Sequence, residues 1–510
     1  MPIKHGAFWN VLPTLLRITQ TADVDVPVFI GLWPVHRIVG GATNVDQVYV
    51  ALDAGDTLAN FGYDPNFSVW TGCEAYYACF TLFNANDKPS PIFSNVFNPA
   101  VHFTAVPASQ LVCNNGIITI PFATADVIID SVVVKNTAGT VTLVKGVNYI
   151  AGYDQSNNFV ITILDPSPTT TYTVSYNKAN PAAVVYSTIV GGTDVNNVNH
   201  GLAVIEDVFP KLSIVPGILY APGWMNNVNV ALAADAKVQL VNGIFRCRTM
   251  IDIDNPTTAK SPQGALAWKG TNATVDSRED LFWPPILQAG VLNFHAGTLC
   301  AIQEGVVSFD KAPGGGSPVP YWGISNNLLP ITGIALSDGT PIKVSQNDAT
   351  FLNSNGIITF QQFREGWFTW GDRTAAYPVS NDVTQVYSIV QRELDWIGNS
   401  LVLTLRPFVD NPGNFATIES IMLTAQVWLS SLVSSGALLK GLIEFLRVDN
   451  PLNSLLSARL VFHYLLTPPL PAEDIENNLE FDVTGLNNLF SLVSASATSG
   501  VASGGGLTVQ

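Results

Sequence analysis

Residues Phe363–Pro378 read FREGWFTWGDRTAAYP, with Arg364, Trp367, Trp370, Asp372 and Arg373 crowded ahead of a proline. Trp367, Trp370 and Arg373 have the chemistry of a cation–π box for a sugar or nucleotide. The same residues suit a structural joint, in which indoles cover apolar surface and a guanidinium serves buried carbonyls. The joint is the preferred reading, and a helical period follows it. Val383, Val386, Tyr387, Val390, Leu394 and Ile397 mark a helix with Gly398 at its C-terminal stop. Ile418, Ile421, Met422, Ala425, Leu429 and Leu432 mark a second, starting near Asn414 and ending at Gly436. LIEFLRV, ARLVFHYLL and a late LEFDV supply strands. Residues 361–493 thus read as an α+β unit, with a small, polar, flexible tail over 494–510.

Toward the N-terminus the texture changes. DVPVFIGLWP is a short continuous apolar run, the mark of a buried strand, and WTGCEAYYACFTLFNA spaces Tyr76, Tyr77, Phe80 and Phe83 as a helical stripe. KLSIVPGILYAPG, NVNVALAADAKVQ and FRCRTMIDID then read as strand, helix and strand, a spacing that calls for a right-handed parallel crossover. These segments define a discontinuous α/β middle domain over 22–100 and 183–360. Between its halves, residues 101–182 hold short β-branched runs: NGIITIPFA, DSVVVKNT, VTLVKG, VNYIAGYD, NFVITIL and TTYTVSYNKA. In the last of these Tyr172, Val174 and Tyr176 alternate with Thr171, Thr173 and Ser175, the period of a half-buried strand. The fold class read here is a multi-domain α+β chain: an α/β middle domain, an α+β C-terminal domain, an inserted all-β sandwich, and extended arms at both termini, the first over 1–21.

Composition narrows the function. Of 510 residues 47% are apolar and only 12% charged, roughly half the charged fraction of an ordinary soluble protein. No uninterrupted apolar run approaches the ~20 residues of a spanning helix, so membrane insertion is not expected. The net charge of −16, without a Lys/Arg cluster, argues against nucleic acid as a partner. Five scattered cysteines read as reduced, buried thiols. The start MPIKHGAFWNVLPT has no apolar signal region, which points to synthesis in the cytosol. Such a chain suits a β-rich subunit whose flanks are covered by neighbours.

The search for chemistry returns little. Asp252 and Asp254 in MIDID could hold a divalent cation, but no third ligand has suitable spacing, and capping of the turn into NPTTAK is the preferred reading. GGGSP, Gly314–Pro318, lacks the Lys-Ser/Thr of a phosphate loop and reads as a linker. His5, His36, His102, His200, His295 and His463 form no HxxxH or HExxH pair, and there is no GxSxG elbow. No catalytic, cofactor or metal residue is assigned, and no enzyme is expected. A triad assembled in space stays open at this stage. So do two rival classes: a hydrolase with a carbohydrate-binding sandwich, and a static surface-layer or capsid-like protein.

NSNGIITFQQFREGWFTWGDRTAAYP resembles the signature of the tail sheath proteins of contractile phages and related injection machines, carried here by Leu352, Asn353, Gly356, Ile357, Gly366, Trp370, Gly371, Arg373 and Thr374. YAPGW with its following helix and MIDID, SREDLFWPPI, the opening KHGAFWNVLPT and the closing PPLPAEDIENNLEFDV are similar to other family segments in the same order. The family's frequent Glu after the opening His-Gly is absent. The resemblance spares only Val101–Ala182, where sheath proteins carry variable insertions. It implies a subunit without catalysis or cofactor, stacked in hexameric rings around an inner tube and contracting to drive that tube through a cell envelope. The implied partners are further copies, the inner tail tube protein, and baseplate and tail terminator proteins. The implied place is the virion tail, assembled in the host cytoplasm. The core signature Gly366, Trp370, Gly371, Arg373 and Thr374 would be structural. Terminal arms can add strands to a neighbour's sheet, and His5, Gly6, Phe8 and Trp9 with Leu479, Phe481 and Val483 are the candidates. The family's tube-facing helix would offer bases, yet Phe415–Ser435 carries only Glu419 as a charge. Lys440 and Arg392 are therefore the candidate tube contacts.

Overall fold

The computed structural model describes residues 20–486 except 52–53, 65–66, 86–87, 89, 273 and 314–316. The expectations for His5, Gly6, Phe8, Trp9, the Gly314 loop and the tail lie outside the described residues. The chain divides into two compact units, Met1–Leu470 and Pro471–Gln510.

Strand β1 is Pro27–Gly31, buried at every position, which is why its sequence is an unbroken apolar run rather than an alternation. Strands β2 (Tyr49–Val50) and β3 (Ile92–Asn95) follow, with helix α1 (Thr71–Tyr77) between them, extended by a π turn over Ala78–Leu82. The chain then builds six strands of a separate layer: β4 (Phe103–Val112), β5 (Ile117–Ile120), β6 (Val133–Lys135), β7 (Tyr149–Tyr153), β8 (Phe159–Ile163) and β9 (Thr171–Ala179). It returns as β10 (Ile218–Tyr220), helix α2 (Val228–Val238), β11 (Arg248–Asp252) and β12 (Glu279–Phe282). The main sheet has the order β12-β11-β10-β1-β3-β2, parallel except at β2. Helix α3 (Ala296–Asp310) packs on this sheet.

Two antiparallel three-stranded sheets, β4-β9-β6 and β5-β8-β7, form the inserted layer around Ile118, Val134, Phe159, Ile161 and Val174. Two details differ from the sequence reading. VTLVKG is not a strand; Thr142 makes one isolated bridge to Lys135 before the chain turns. β4 was not foreseen, because Pro107 and a run of small polar residues hide it. The register slips between Val106 and Ser109, where the proline without its N–H sits in a bulge. A buried cluster fastens this layer to the body. Arg37 reaches Asp126 (3.1 Å) and Asp64 (3.0 Å), His36 lies 2.9 Å from Asp126, and the Arg37 guanidinium covers the Phe122 and Tyr153 rings.

After β13 (Leu328–Leu329), β14 (Thr359–Phe363) and β15 (Gly366–Trp370) comes α4 (Ser388–Leu405), separated from a single turn at Val383–Val386 by extended Tyr387. The helix does not stop at Gly398. It runs through to Leu405 because Ser400, Leu401 and Thr404 are buried, and tertiary packing overrides the glycine. α5 (Phe415–Ser435) begins with Asn414 accepting from Thr417 N and ends at left-handed Gly436. It is 21 residues long and apolar enough to cross a membrane by length and composition alone, although Thr417, Glu419, Ser420, Thr424 and Gln426 interrupt its apolar run. Ile421, Thr424, Ala425, Trp428, Leu429 and Leu432 are nonetheless its covered stripe. β16 (Lys440–Glu444) and β17 (His463–Thr467) form a two-stranded antiparallel sheet. One apolar core runs without interruption from Ala22 through the main sheet to Trp396, Leu429 and Ile443. In the second unit Leu479–Asp482 carries no strand assignment, so LEFDV is not a strand within its own chain.

Candidate functional site

The signature stretch is a hairpin that leads into a folded corner. β14 and β15 pair from Thr359↔Trp370 to Phe363↔Gly366, with β13 on the other side of β15. Phe363 and Trp370 rings meet at 5.2 Å, and both indoles, Trp367 and Trp370, are half-buried. Gly371 then takes φ +121°, and a Cβ there would sit 2.4 Å from the tip of the Asn353 amide. With its amide nitrogen turned toward them, Asn353 donates to Ile357 O (2.9 Å) and Trp370 O (3.1 Å). Arg373 lies over the Tyr377 ring at 4.0 Å and the Tyr387 ring at 5.9 Å. Thr374 donates from Oγ1 to Gln385 O (2.6 Å) and from N to Val386 O (2.9 Å). Each signature side chain is thus engaged with its own fold.

A residue that the sequence reading passed over holds the corner. Lys269, nearly buried, donates to Asn355 O and Tyr377 O at 2.6 Å each. Burial pulls its pKa down to about 8. Gly356, at φ +64°, lies beneath: a Cβ would fall 2.4 Å from Thr374 O and 2.9 Å from Lys269 Nζ. A single lysine in GALAWKG gives no spacing that announces this role.

Behind the corner, α4 is fixed to the α/β layer by buried ions. Arg392 reaches Asp25 at 2.6 Å and Glu304 at 3.0 Å, and its side chain is 1% exposed. It is therefore not available as a tube contact, and that expectation is corrected: the guanidinium is consumed by two carboxylates inside the molecule. Arg248 meets Asp280 (2.5 Å) and Ser388 O (3.1 Å), and Arg278 holds Asp395 through two 2.9 Å bonds. Burial raises Glu304 and Glu393 to about 8 and Asp372 to about 7, outweighing the pull of Arg392 on each. The N-terminal segment is fastened along the same helix. Thr404 bonds Gln20 (3.1 and 3.0 Å), Ser400 accepts from Ala22 N (2.9 Å), Trp396 Nε1 donates to Ala22 O (3.0 Å), and Arg392 takes Asp25. Those four helical positions are spaced by four, so they form one stripe.

The paired aspartates bond within the fold. Asp252 accepts from Gly297 N (2.8 Å) at the start of α3 and from the Tyr220 hydroxyl, while Asp254 accepts from Ser337 Oγ (2.7 Å) and Asn226 Nδ2 (3.2 Å). Among the described residues no group of three His, Cys, Asp or Glu is placed to hold an ion. The acid caps a helix rather than the turn into NPTTAK.

Two surfaces face outward. On α5, Ala416, Glu419, Leu423, Val427, Ser430 and Ser434 are exposed and share one helical face with a single charge, and Lys440 is exposed at the start of β16. In the second unit Leu479, Phe481 and Val483 are 98%, 76% and 64% exposed, alternating with Glu480 and Asp482.

No family model matches the chain. A tail sheath protein of Burkholderia phage BcepMu is 28% identical over 362 residues, covering 69% of this chain and 73% of that one. A major tail sheath protein of Serratia phage KSP20 is 25% identical over 134 residues, 26% of this chain and 33% of the relative. Among solved structures, the helical sheath of the anti-feeding prophage in its contracted state aligns with a TM-score of 0.54 at 13% identity, over 94% of this chain and 100% of that one. The chain is a mixed α/β protein with the fold of sheath subunits, and the resemblance read from its signature segments holds. These relatives are structural sheath proteins, not enzymes.

Proposed function

We propose that this chain is the structural subunit of a contractile tail sheath. It polymerises as stacked hexameric rings around an inner tail tube, engages baseplate and tail terminator proteins, and contracts to drive the tube through the target envelope. The observation that carries this reading is the 362-residue match to a phage tail sheath protein. The engagement of every signature residue with its own fold supports it, since a joint needs no ligand. The subunit works in the virion tail and is assembled in the host cytoplasm. The N- and C-terminal parts form the packed inner layer, the α/β part over 22–100 and 183–360 lies outside it, and the 101–182 sandwich lies outermost. The exposed, almost uncharged face of α5 and Lys440 meet the tube through apolar and polar contact.

Subunits are linked by terminal arms that add strands to a neighbour's sheet, where main-chain bonds survive large rotations. The alternating, exposed apolar row of Leu479, Phe481 and Val483 supports this, because such a row in water lacks a partner. Repeating a head-to-tail contact of this kind yields a helical polymer. Electron microscopy of the purified chain tests the reading. Tubes or rings are expected from the full chain, and monomers from chains lacking residues 1–14 or everything after Pro471. Polymerisation of both truncated chains would refute strand exchange.

A further inference from the structure

The two sheets of the inserted layer turn different chemistry outward. In β4-β9-β6 the central strand presents Thr171, Thr173, Ser175 and Asn177, with Gln110 and Lys135 on either side of Thr173. That face suits water. In β5-β8-β7 the outward positions form two rows across the strands: Ile117, Thr162 and Ile150, then Thr119, Val160 and Gly152. The alternate positions, among them Ile118, Phe159 and Ile161, fill the sandwich core. The outward rows thus hold isoleucine, valine, threonine and glycine where a sheet face open to water carries polar and charged side chains. These three strands contain no charged residue. A Cβ built on Gly152 meets nothing within 4 Å, so the face is bare across its second row.

From this asymmetry we infer that the outer face of β5-β8-β7 packs against a second copy of this chain, as a side contact between subunits already joined in the polymer. The inference rests on the sheath reading. Size selects this occupant first. Three strands of about five residues span roughly 14 Å by 17 Å, about 240 Å², whereas a stable complex buries about 800 Å² on each partner. The face is too small to hold a free partner, but copies tethered elsewhere meet at high effective concentration and need little area. Charge agrees. A net charge of −16 makes copies repel one another, and they approach at least cost through a face that carries none. The chemistry of other occupants is missing. Tyr149 and Phe159 are turned into the core and Tyr153 bonds Asp126 and Val127 O, so no ring is offered to a sugar, and the strands hold no base for an anionic headgroup. The Arg37 clamp on Asp126 and Asp64 fixes the sandwich to the body, so every copy presents the face at the same attitude.

The test compares the full chain with Ile150→Glu, which puts a charge on the bare face, and with Gln110→Glu, which puts the same charge on the polar one; both positions are exposed. Sedimentation measures the protein concentration at which tubes or rings form. Ile150→Glu is expected to raise it about tenfold or more, because a buried isoleucine is lost and like charges face each other. Gln110→Glu is expected to stay within about twofold of wild type, as a screened surface charge does. Both variants should keep the wild-type circular dichroism and thermal midpoint. If Ile150→Glu lowers the midpoint, Ile117→Glu replaces it and is judged by the same outcomes. An unchanged concentration for Ile150→Glu, or an equal rise for Gln110→Glu, would overturn the contact. Binding of the wild-type chain to vesicles of phosphatidylethanolamine and phosphatidylglycerol that Ile150→Glu abolishes, with polymerisation untouched, would give the face to a lipid surface and overturn it too. A wild-type chain that never polymerises would defeat the sheath reading itself.

Discussion

Gly356→Ala measures how tightly the signature corner is built. At φ +64° an alanine meets the steric cost of the left-handed region, about 1–2 kcal/mol. Its Cβ would stand 2.4 Å from Thr374 O, 2.6 Å from Tyr377 O and 2.9 Å from Lys269 Nζ, so one of these must move. Moving Tyr377 O breaks a 2.6 Å bond from the buried ammonium, a charge-assisted contact worth roughly 1.5–3 kcal/mol. The total loss is on the order of 3–5 kcal/mol. Gly398→Ala is the natural control. It lies inside α4 with nothing within 4 Å of the new Cβ, and replacing a helix-interior glycine gains about 1 kcal/mol. Urea unfolding of the unassembled chain, followed by tryptophan fluorescence, should move the midpoint down for Gly356→Ala and up for Gly398→Ala. A Gly356→Ala midpoint at or above wild type would show that the corner yields freely and would refute the account.

Glu393, raised to about 8 mainly by burial, keeps a proton in the folded chain that the unfolded chain, near 4.5, has released. Stability should therefore fall as pH rises from about 4.5 to 8, by at most about 1.4 kcal/mol per pH unit from this group. Glu393→Gln should flatten that slope, and parallel pH–stability curves for the two chains would contradict the assignment. Arg392→Met strands Asp25 and Glu304 in the interior and should cost about 3–5 kcal/mol, read as a lower thermal midpoint; an unchanged midpoint would argue against the buried pairing. Trp370→Ala removes a half-buried indole that meets Phe363 at a tilt and should cost about 2–3 kcal/mol, below the range for fully buried aromatics. A loss within measurement error in the same urea assay would show that the indole does not hold the hairpin.

Elements whose signals are local were legible in the sequence. Asn414 and Gly436 cap α5 through their own side chain and backbone freedom, and the unbroken apolar run of β1 follows from burial on both faces. Elements governed by distant partners were not. Gly398 reads as a stop, but α4 continues because residues nearly four hundred positions earlier bond its far end. β4 is a strand only because β9 pairs with it across a proline bulge. Of the site residues, those of the corner stand together in one stretch of sequence, whereas Lys269 and the burial of Arg392 depend on carbonyls and carboxylates brought from other elements.

The stripe of Arg392, Trp396, Ser400 and Thr404 gives the molecule a directional response to tension. Segment 20–25 runs antiparallel to α4, over roughly 18 Å of helix, with Gln20 at the Thr404 end and Asp25 at the Arg392 end. A pull along the helix axis must stretch all of these attachments together, while a pull across it meets only the Thr404 bonds first and then the others in turn. The same few hydrogen bonds are therefore strong against one heading of force and weak against another, and the orientation of α4 sets which heading that is.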